Sequence, residues 1–443
     1  MTDAAVPFDR DTVRRVLRDL NIDIRTASIR ETNAAVTGIE RALGAKFIRM
    51  EFGVPGLPAS AIAIDAEMRA LRERAVAHVY APFEGLPALK AEAARFWSLF
   101  AGIELPASCV VPTIGAMQGC FASIALASYL KGPHSTLLAL GPGFPENRLQ
   151  ARLFGLNVET LDFYDHRGDH LIDAIEGRVS RGDVSAILWS SPNNPTWIVL
   201  KPAELEGIGR LCSRYEVLAI EDLAYFGMDT REDYSVPGQP PYQPTVMRYT
   251  DRAVSLVSSS KMFSYAGQRI ALLFLSPGLM QLRSPALAAR CGTDIIGRAL
   301  IDGIIYPNIA CAPESSQYGL LALLEAANNG ERSLFEPARV YAGRARAMKR
   351  LFLDNGFRLV YDNDLGEPLA DGFYFTIAYP GFDDGSDLLG ELLHYGISAI
   401  TLKSAGSCRT EGLRACTSMT AEDRLATLEA RLRRFHEDHP TAR

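Results

Sequence analysis

The chain has 443 residues, of which 48% are hydrophobic and 22% charged, with a formal net charge of −6. That length exceeds one small core and predicts two or three domains of ordinary globular composition. The negative balance and the lack of a Lys/Arg cluster argue against a nucleic-acid or anionic-membrane partner, and no run of about 18 apolar residues is long enough to span a bilayer. Seven cysteines (Cys109, Cys120, Cys212, Cys291, Cys311, Cys408, Cys416) form no C-x-x-C pair and are odd in number. This usage predicts a reduced, cytoplasmic protein. The start, Met1 to Asp19, is charged and lacks the apolar core of a signal peptide.

In chain order, residues 11–20 and 27–43 read as two charged helices. From about 110 to 276, short β-branched runs alternate with longer helical ones. Helices are predicted over 115–130, 144–155, 171–179 and 203–215; strands over 135–141, 158–163, 184–190, 217–222, 253–258 and 270–275. Such alternation implies an α/β fold, with a mainly parallel sheet covered by helices on both faces. Ligands in these sheets bind beyond the carboxyl ends of the strands. The stretch 230–245, with four prolines, reads as a surface excursion. Residues 333–355 form a long Arg- and Ala-rich helix, followed by strands at 357–361 and 372–377. A last helix at 421–435 carries Leu425, Leu428 and Leu432. The expected organisation is an N-terminal helical arm (1–46), a large domain (47–330) and a C-terminal part (331–443). The arm and the C-terminal part together make a smaller α+β domain.

Of 46 basic residues only 7 are lysines, so Lys261 stands out. It closes the alternating run Ala253-Val254-Ser255-Leu256-Val257-Ser258, after small hydroxyl residues and before Gly267-Gln268-Arg269. A lysine at the mouth of a buried strand suits covalent amine chemistry, because it can form a Schiff base with a carbonyl and burial lowers its pKa. Other strand ends carry polar groups too. Asn193-Asn194-Pro195-Thr196 follows the 184–190 strand, and a residue before proline is held extended. Glu221-Asp222 closes the 217–222 strand, where alternation sends the two carboxylates to opposite faces, so only one can meet a shared ligand. Gly115-Ala116-Met117 opens a helix, whose free N–H groups and dipole favour phosphate. Each alone has a bland alternative: a turn, a helix cap, an ordinary helix start.

In this order and spacing, Asn194-Pro195-Thr196, Asp222-x-x-Tyr225 and Ser258-x-x-Lys261 with Arg269 resemble the fold-type I pyridoxal-phosphate enzymes of the class I/II aminotransferase family, over about residues 47–419. The resemblance implies pyridoxal 5′-phosphate as cofactor, held by Lys261 as an internal aldimine. Lys261 would also shuttle the substrate Cα proton. It further implies that Asp222 pairs with the pyridine nitrogen and keeps it protonated. Asn194 and Tyr225 would bond the phenolic oxygen; Ser258, Arg269 and the backbone of Gly115, Ala116 and Met117 would hold the phosphate. Phe144 stands where the family stacks an aromatic on the ring, with a core phenylalanine as the alternative. Tyr80, in Tyr80-Ala81-Pro82-Phe83, would reach the partner's phosphate site in a homodimer. Arg414 would grip the substrate carboxylate with two parallel hydrogen bonds, in preference to Arg409, read as a solvated charge. No metal is implied. Asp165-His166-Arg167-Gly168-Asp169-His170 reads as a solvated turn.

Two departures bear on the reaction. Trp197 stands where the family usually has glycine after Asn-Pro-Thr; it would pack the sheet end or narrow the substrate pocket. The segment 287–316 contains Arg290 and Arg298 and is where a partner subunit could reach across; a dicarboxylic substrate follows if either arginine faces a site. The implied function is amino transfer to or from an α-amino acid. The alternative keeps the cofactor but performs γ-elimination or γ-substitution on S-adenosylmethionine, including carbon–carbon bond-forming annulation. A cofactor-sensing DNA-binding regulator fits poorly, since about 46 residues precede the recognisable region and carry no basic recognition helix.

Overall fold

The alternation between residues 110 and 276 builds a seven-stranded sheet. Its strands lie in the order Val110–Thr113, Ala271–Leu275, Ala253–Ser258, Leu218–Leu223, Val184–Ser190, Thr136–Gly141, Asn157–Asp162. Neighbours pair parallel except at Ala271–Leu275, which runs antiparallel to both its neighbours. The connection from Ser258 to Ala271 holds only a one-turn α-helix and a short 3₁₀ turn, with no long crossover helix to carry the chain back for a parallel return. The computed structural model describes residues 5–440. They fall into two compact units, one of Leu57–Asn193 and Ile198–Ala338. The other comprises the described residues up to Gly56, Asn194–Trp197, and those from Arg339 onward.

In the larger unit the sheet is flanked by helices. Gly115–Lys131 is apolar on nearly every side and packs on the Val184, Leu218, Ala253 and Ala271 strands, as a helix inside a core must. Gly119 permits the approach: a Cβ there would lie 2.3 Å from Leu256 Cδ2. Three helices of this unit longer than ten residues lie outside the predicted set: Ala61–Glu73, Pro87–Ala101 and Glu314–Asn328. They form a layer in which Glu314–Asn328 packs on both others, a pairing across more than 200 residues that local pattern does not carry. The segment 287–316 is mostly helical and includes a π-helical stretch, Ala299–Ile305. Its Leu300, Ile301, Ile304 and Ile305 join the main core. The 230–245 excursion has no strand or helix, as its prolines predict, yet buries Tyr234 and Gln243.

The smaller unit has a four-stranded antiparallel sheet in the order Ile400–Thr401, Leu413–Cys416, Tyr374–Ala378, Arg358–Leu359. Ile48–Arg49 pairs with Ile397–Ser398 in parallel. Its core gathers Phe352, Phe357, Phe375, Tyr379, Leu428, Leu432 and Phe435. The N-terminal helices are Arg10–Asp19 and Ile29–Leu43, and Ser28 and Glu31 cap the second reciprocally.

Candidate active site

The Ala253–Ser258 strand ends in a one-turn helix, Ser259–Met262, that carries Lys261. Ser258 caps it: its Oγ accepts from the Ser260 N–H at 3.2 Å. Ser259 Oγ donates to Ile270 O (2.6 Å), tying the turn to the returning strand. Lys261 is half-buried. On the neighbouring strand, alternation divides two adjacent carboxylates as expected. Glu221 faces a closed network, accepting from Thr245 Oγ1 (2.5 Å), Ser255 Oγ (2.9 Å) and Val246 N–H (3.1 Å). Even so, burial pushes its carboxyl up to about 7, past what the three donors restore. Asp222 takes the other side. Desolvation raises its carboxyl to about 6, and the Ala224 N–H and the Lys261 charge pull part of that back. Its Oδ1 accepts from Ala224 N–H at 3.0 Å. Tyr225, three residues on, is buried.

The candidate anion site lies at the start of the Gly115–Lys131 helix. Gly115 has φ +70, and a Cβ on it would fall 2.4 Å from Arg269 Nη2. The absent side chain is therefore what lets the guanidinium lie against the first turn, where free N–H groups point outward. Arg269 itself has φ +50, and its Nη1 donates to Ala266 O at 2.9 Å. Ala116 and Met117 supply the next two backbone groups, with Met117 O accepting from Gln150 Nε2 (3.1 Å). Gln118 steadies the turn: its Oε1 accepts from Ile114 N–H (2.7 Å) and its Nε2 donates to Asn308 (3.2 Å). Phe144 is half-buried and lines one small cavity with Arg148, Ser190 and Asp222. The larger unit thus holds Lys261 beside Asp222, Phe144 lining a cavity with Asp222, and Arg269 against Gly115, and it also carries Tyr225, Ser258, Ala116 and Met117. Tyr80 lies on this unit's surface, 81% exposed.

The smaller unit holds Asn194 and Arg414. Arg414 is 4% exposed; its Nη1 donates to Asn194 Oδ1 (3.3 Å) and its Nη2 to Glu51 O (2.5 Å). Its Nε has no hydrogen-bond partner among the described residues. Arg409 instead pairs with Glu411 at 2.8 Å. Trp197 is buried with φ +66, a left-handed backbone that glycine adopts freely and a bulky residue seldom does. The motif alone could not supply that angle. The indole packs edge-on to Tyr374 (6.1 Å, 70°), and the Tyr374 ring lies 4.7 Å from the Arg414 guanidinium carbon. Sequence reasoning missed Tyr374, whose only signal was its place in a short strand.

Arg290 and Arg298 each have a partner within this chain. Arg290 lies over the Tyr129 ring (4.9 Å), and Arg298 pairs with Glu84 (3.3 Å) and Asp302 (3.1 Å). In the 165–170 turn, Arg167 forms a buried pair with Glu204 at 2.9 Å, and His166 Nδ1 lies 3.0 Å from Asp162 O.

A family model for aminotransferases of class I and II matches residues 50–355. The chain belongs to that family. It is 27% identical over 247 residues to an LL-diaminopimelate aminotransferase of Nitratidesulfovibrio vulgaris, covering 54% of this chain and 60% of that protein. The chain thus spans 60% of the length of that relative. It is 22% identical to a probable aspartate aminotransferase of Methanocaldococcus jannaschii, covering 78% of this chain and 82% of the relative. Among solved structures, an aspartate aminotransferase of Thermus thermophilus with maleate superposes with a TM-score of 0.74. It is 17% identical and covers 98% of this chain and 100% of that one, a likeness of fold. Among the described residues, no helix is long and apolar enough to cross a membrane.

Proposed function

We propose that the protein is a pyridoxal-phosphate-dependent aminotransferase acting on an α-amino acid. The observation that carries this reading is the set within the larger unit. There Arg269 lies against the first turn of a helix that glycine opens, and Lys261 closes a strand beside a desolvated carboxylate, Asp222. The cradle that a Cβ at Gly115 would fill suits a phosphate, which Arg269, Ser258 and the Ala116 and Met117 N–H groups would hold. Asp222 would pair with the pyridine nitrogen, Tyr225 and Asn194 with the phenolic oxygen, and Phe144 would cover the ring face. When bound, the cofactor supplies an electron sink for negative charge at the substrate Cα.

Lys261 Nζ takes the proton from substrate Cα as general base. Asp222 keeps its partner nitrogen protonated, and pairing with a cation returns its carboxyl to the charged form that desolvation opposes. Arg414 would bind the α-carboxylate and so fix the orientation of the substrate at Cα. We further infer a homodimer in which the exposed Tyr80 reaches the partner, and residence in the cytoplasm, in keeping with seven free cysteines. The relatives matched here are aminotransferases by name, which supports amino transfer over Cγ chemistry.

The test is stepwise addition of single amino acids, S-adenosylmethionine among them, to cofactor-loaded protein with no keto acid present. Stoichiometric loss of the visible band, with release of a keto acid, is the expected result. Release of methylthioadenosine with the band retained would overturn the reading.

A further inference from the structure

Arg414 is buried, yet both its hydrogen bonds go to neutral oxygens, Asn194 Oδ1 and Glu51 O, and its Nε has no partner among the described residues. A guanidinium cannot shed its charge when desolvated, so something must support it where it sits. The face of Tyr374, 4.7 Å away, does so. A cation over a desolvated ring is more strongly attracted than one at an exposed surface. Tyr374 is itself fixed from two sides. Its Oη abuts Gly53, where a Cβ would fall 2.1 Å away, and Trp197 meets its ring edge-on.

Trp197 holds that post in a strained backbone, φ +66. Such strain persists only where the surroundings over-determine it. Here Gly372 makes the room, since a Cβ on it would lie 2.1 Å from Trp197 Cε2. The indole, the phenol and the guanidinium therefore form one stack, with the donors not used by Asn194 and Glu51 left for an anion.

We propose that Tyr374 and Trp197 are positioning residues that hold Arg414 for the substrate, so that the enzyme selects amino acids with a free α-carboxylate over their amides. The proposal rests on the reading of Arg414 as the carboxylate-binding residue. It goes further in assigning the orientation to this aromatic stack, including the tryptophan that replaces the family's usual glycine.

The test compares holoenzyme variants on the L-α-amino acid with the highest kcat/KM in the half-reaction series and on its α-carboxamide. Tyr374→Leu is expected to raise KM for the acid about tenfold, with kcat and cofactor content unchanged and the acid-to-amide preference reduced by the same factor. Tyr374→Phe keeps the ring face and restores the wild-type KM. Trp197→Gly, whose backbone suits the left-handed angle, raises KM about threefold through the loosened ring, with its fold checked by far-UV circular dichroism. An unchanged KM and acid-to-amide ratio in both Tyr374→Leu and Trp197→Gly overturns the proposal. So does a parallel fall in kcat and cofactor content, which marks a merely structural role. Arg414→Lys separates the two levels. If it too leaves KM for the acid unchanged, the reading of Arg414 has failed; if it alone raises KM, only the stack has.

Discussion

The two units hold a desolvated charge in opposite ways. In the larger, Asp222 is a carboxylate raised to about 6 by desolvation, with one backbone N–H and the Lys261 charge as partial compensation. It can answer desolvation by taking a proton. In the smaller, Arg414 has no such exit, and is held by a ring face and neutral oxygens. A carboxylate can answer desolvation by changing its charge, whereas a guanidinium keeps its charge and must be braced.

The contrast can be broken most sharply at the lysine beside Asp222. Lys261→Ala is expected to lower kcat by roughly 10³-fold or more, measured as keto acid release, while far-UV circular dichroism stays unchanged.

Asp222→Asn comes next, with an expected loss of roughly 10²–10⁴-fold and a gain in stability without cofactor. The sign follows from a folded pKa raised above the unfolded 3.8. The favourable contribution is fully present below about pH 4 and is lost as pH rises through about 6. The asparagine apoprotein should therefore match wild type near pH 4 and exceed it near pH 8 by about 1–3 kcal/mol. Urea titrations at the two pH values measure this. Equal stability at both would mean Asp222 is not desolvated as described.

Arg414→Lys keeps the charge but loses the fork, and should raise KM for the amino acid about 10–100-fold. Initial-rate kinetics decide it.

Glu221→Gln gives the smallest effect on activity and sharpens the comparison, because it touches a desolvated carboxylate that lies in a closed network with Thr245 and Ser255. Its folded pKa of about 7 is likewise raised, so its contribution is present below the unfolded value of 4.5 and lost as pH rises through about 7. The variant should gain up to about 3 kcal/mol on wild type between pH 4 and 8, with kcat unchanged when kinetics are measured at pH 8.

Much of the larger unit was legible because strand and helix alternate there with a clean period. That period marks the ends of the strands, so a rare lysine, Lys261, stood out just past one of them and the Glu221-Asp222 pair at another, whereas Arg269 was singled out by the resemblance. Alternation also gave the division of labour between Glu221 and Asp222, though not which of them met Thr245 and Ser255. What the sequence could not give was set by distance along the chain. The layer joining Ala61–Glu73 to Glu314–Asn328 depends on a pairing across more than 200 residues. The stack at Arg414 joins residues 197, 374 and 414, from three separate segments. The φ of Trp197 is a property of its surroundings, since tryptophan's own preference opposes it. Arg290 and Arg298 looked alike as residue types and were told apart only by what each meets, a tyrosine ring in one case and two carboxylates in the other.

The central claim, that this chain binds pyridoxal phosphate through one lysine, is tested most directly by borohydride reduction of the cofactor-loaded protein followed by peptide mass spectrometry. With only 7 lysines in the chain, each can be surveyed. The account predicts a single reduced adduct, on Lys261. An adduct on another lysine, or none on any, would contradict it.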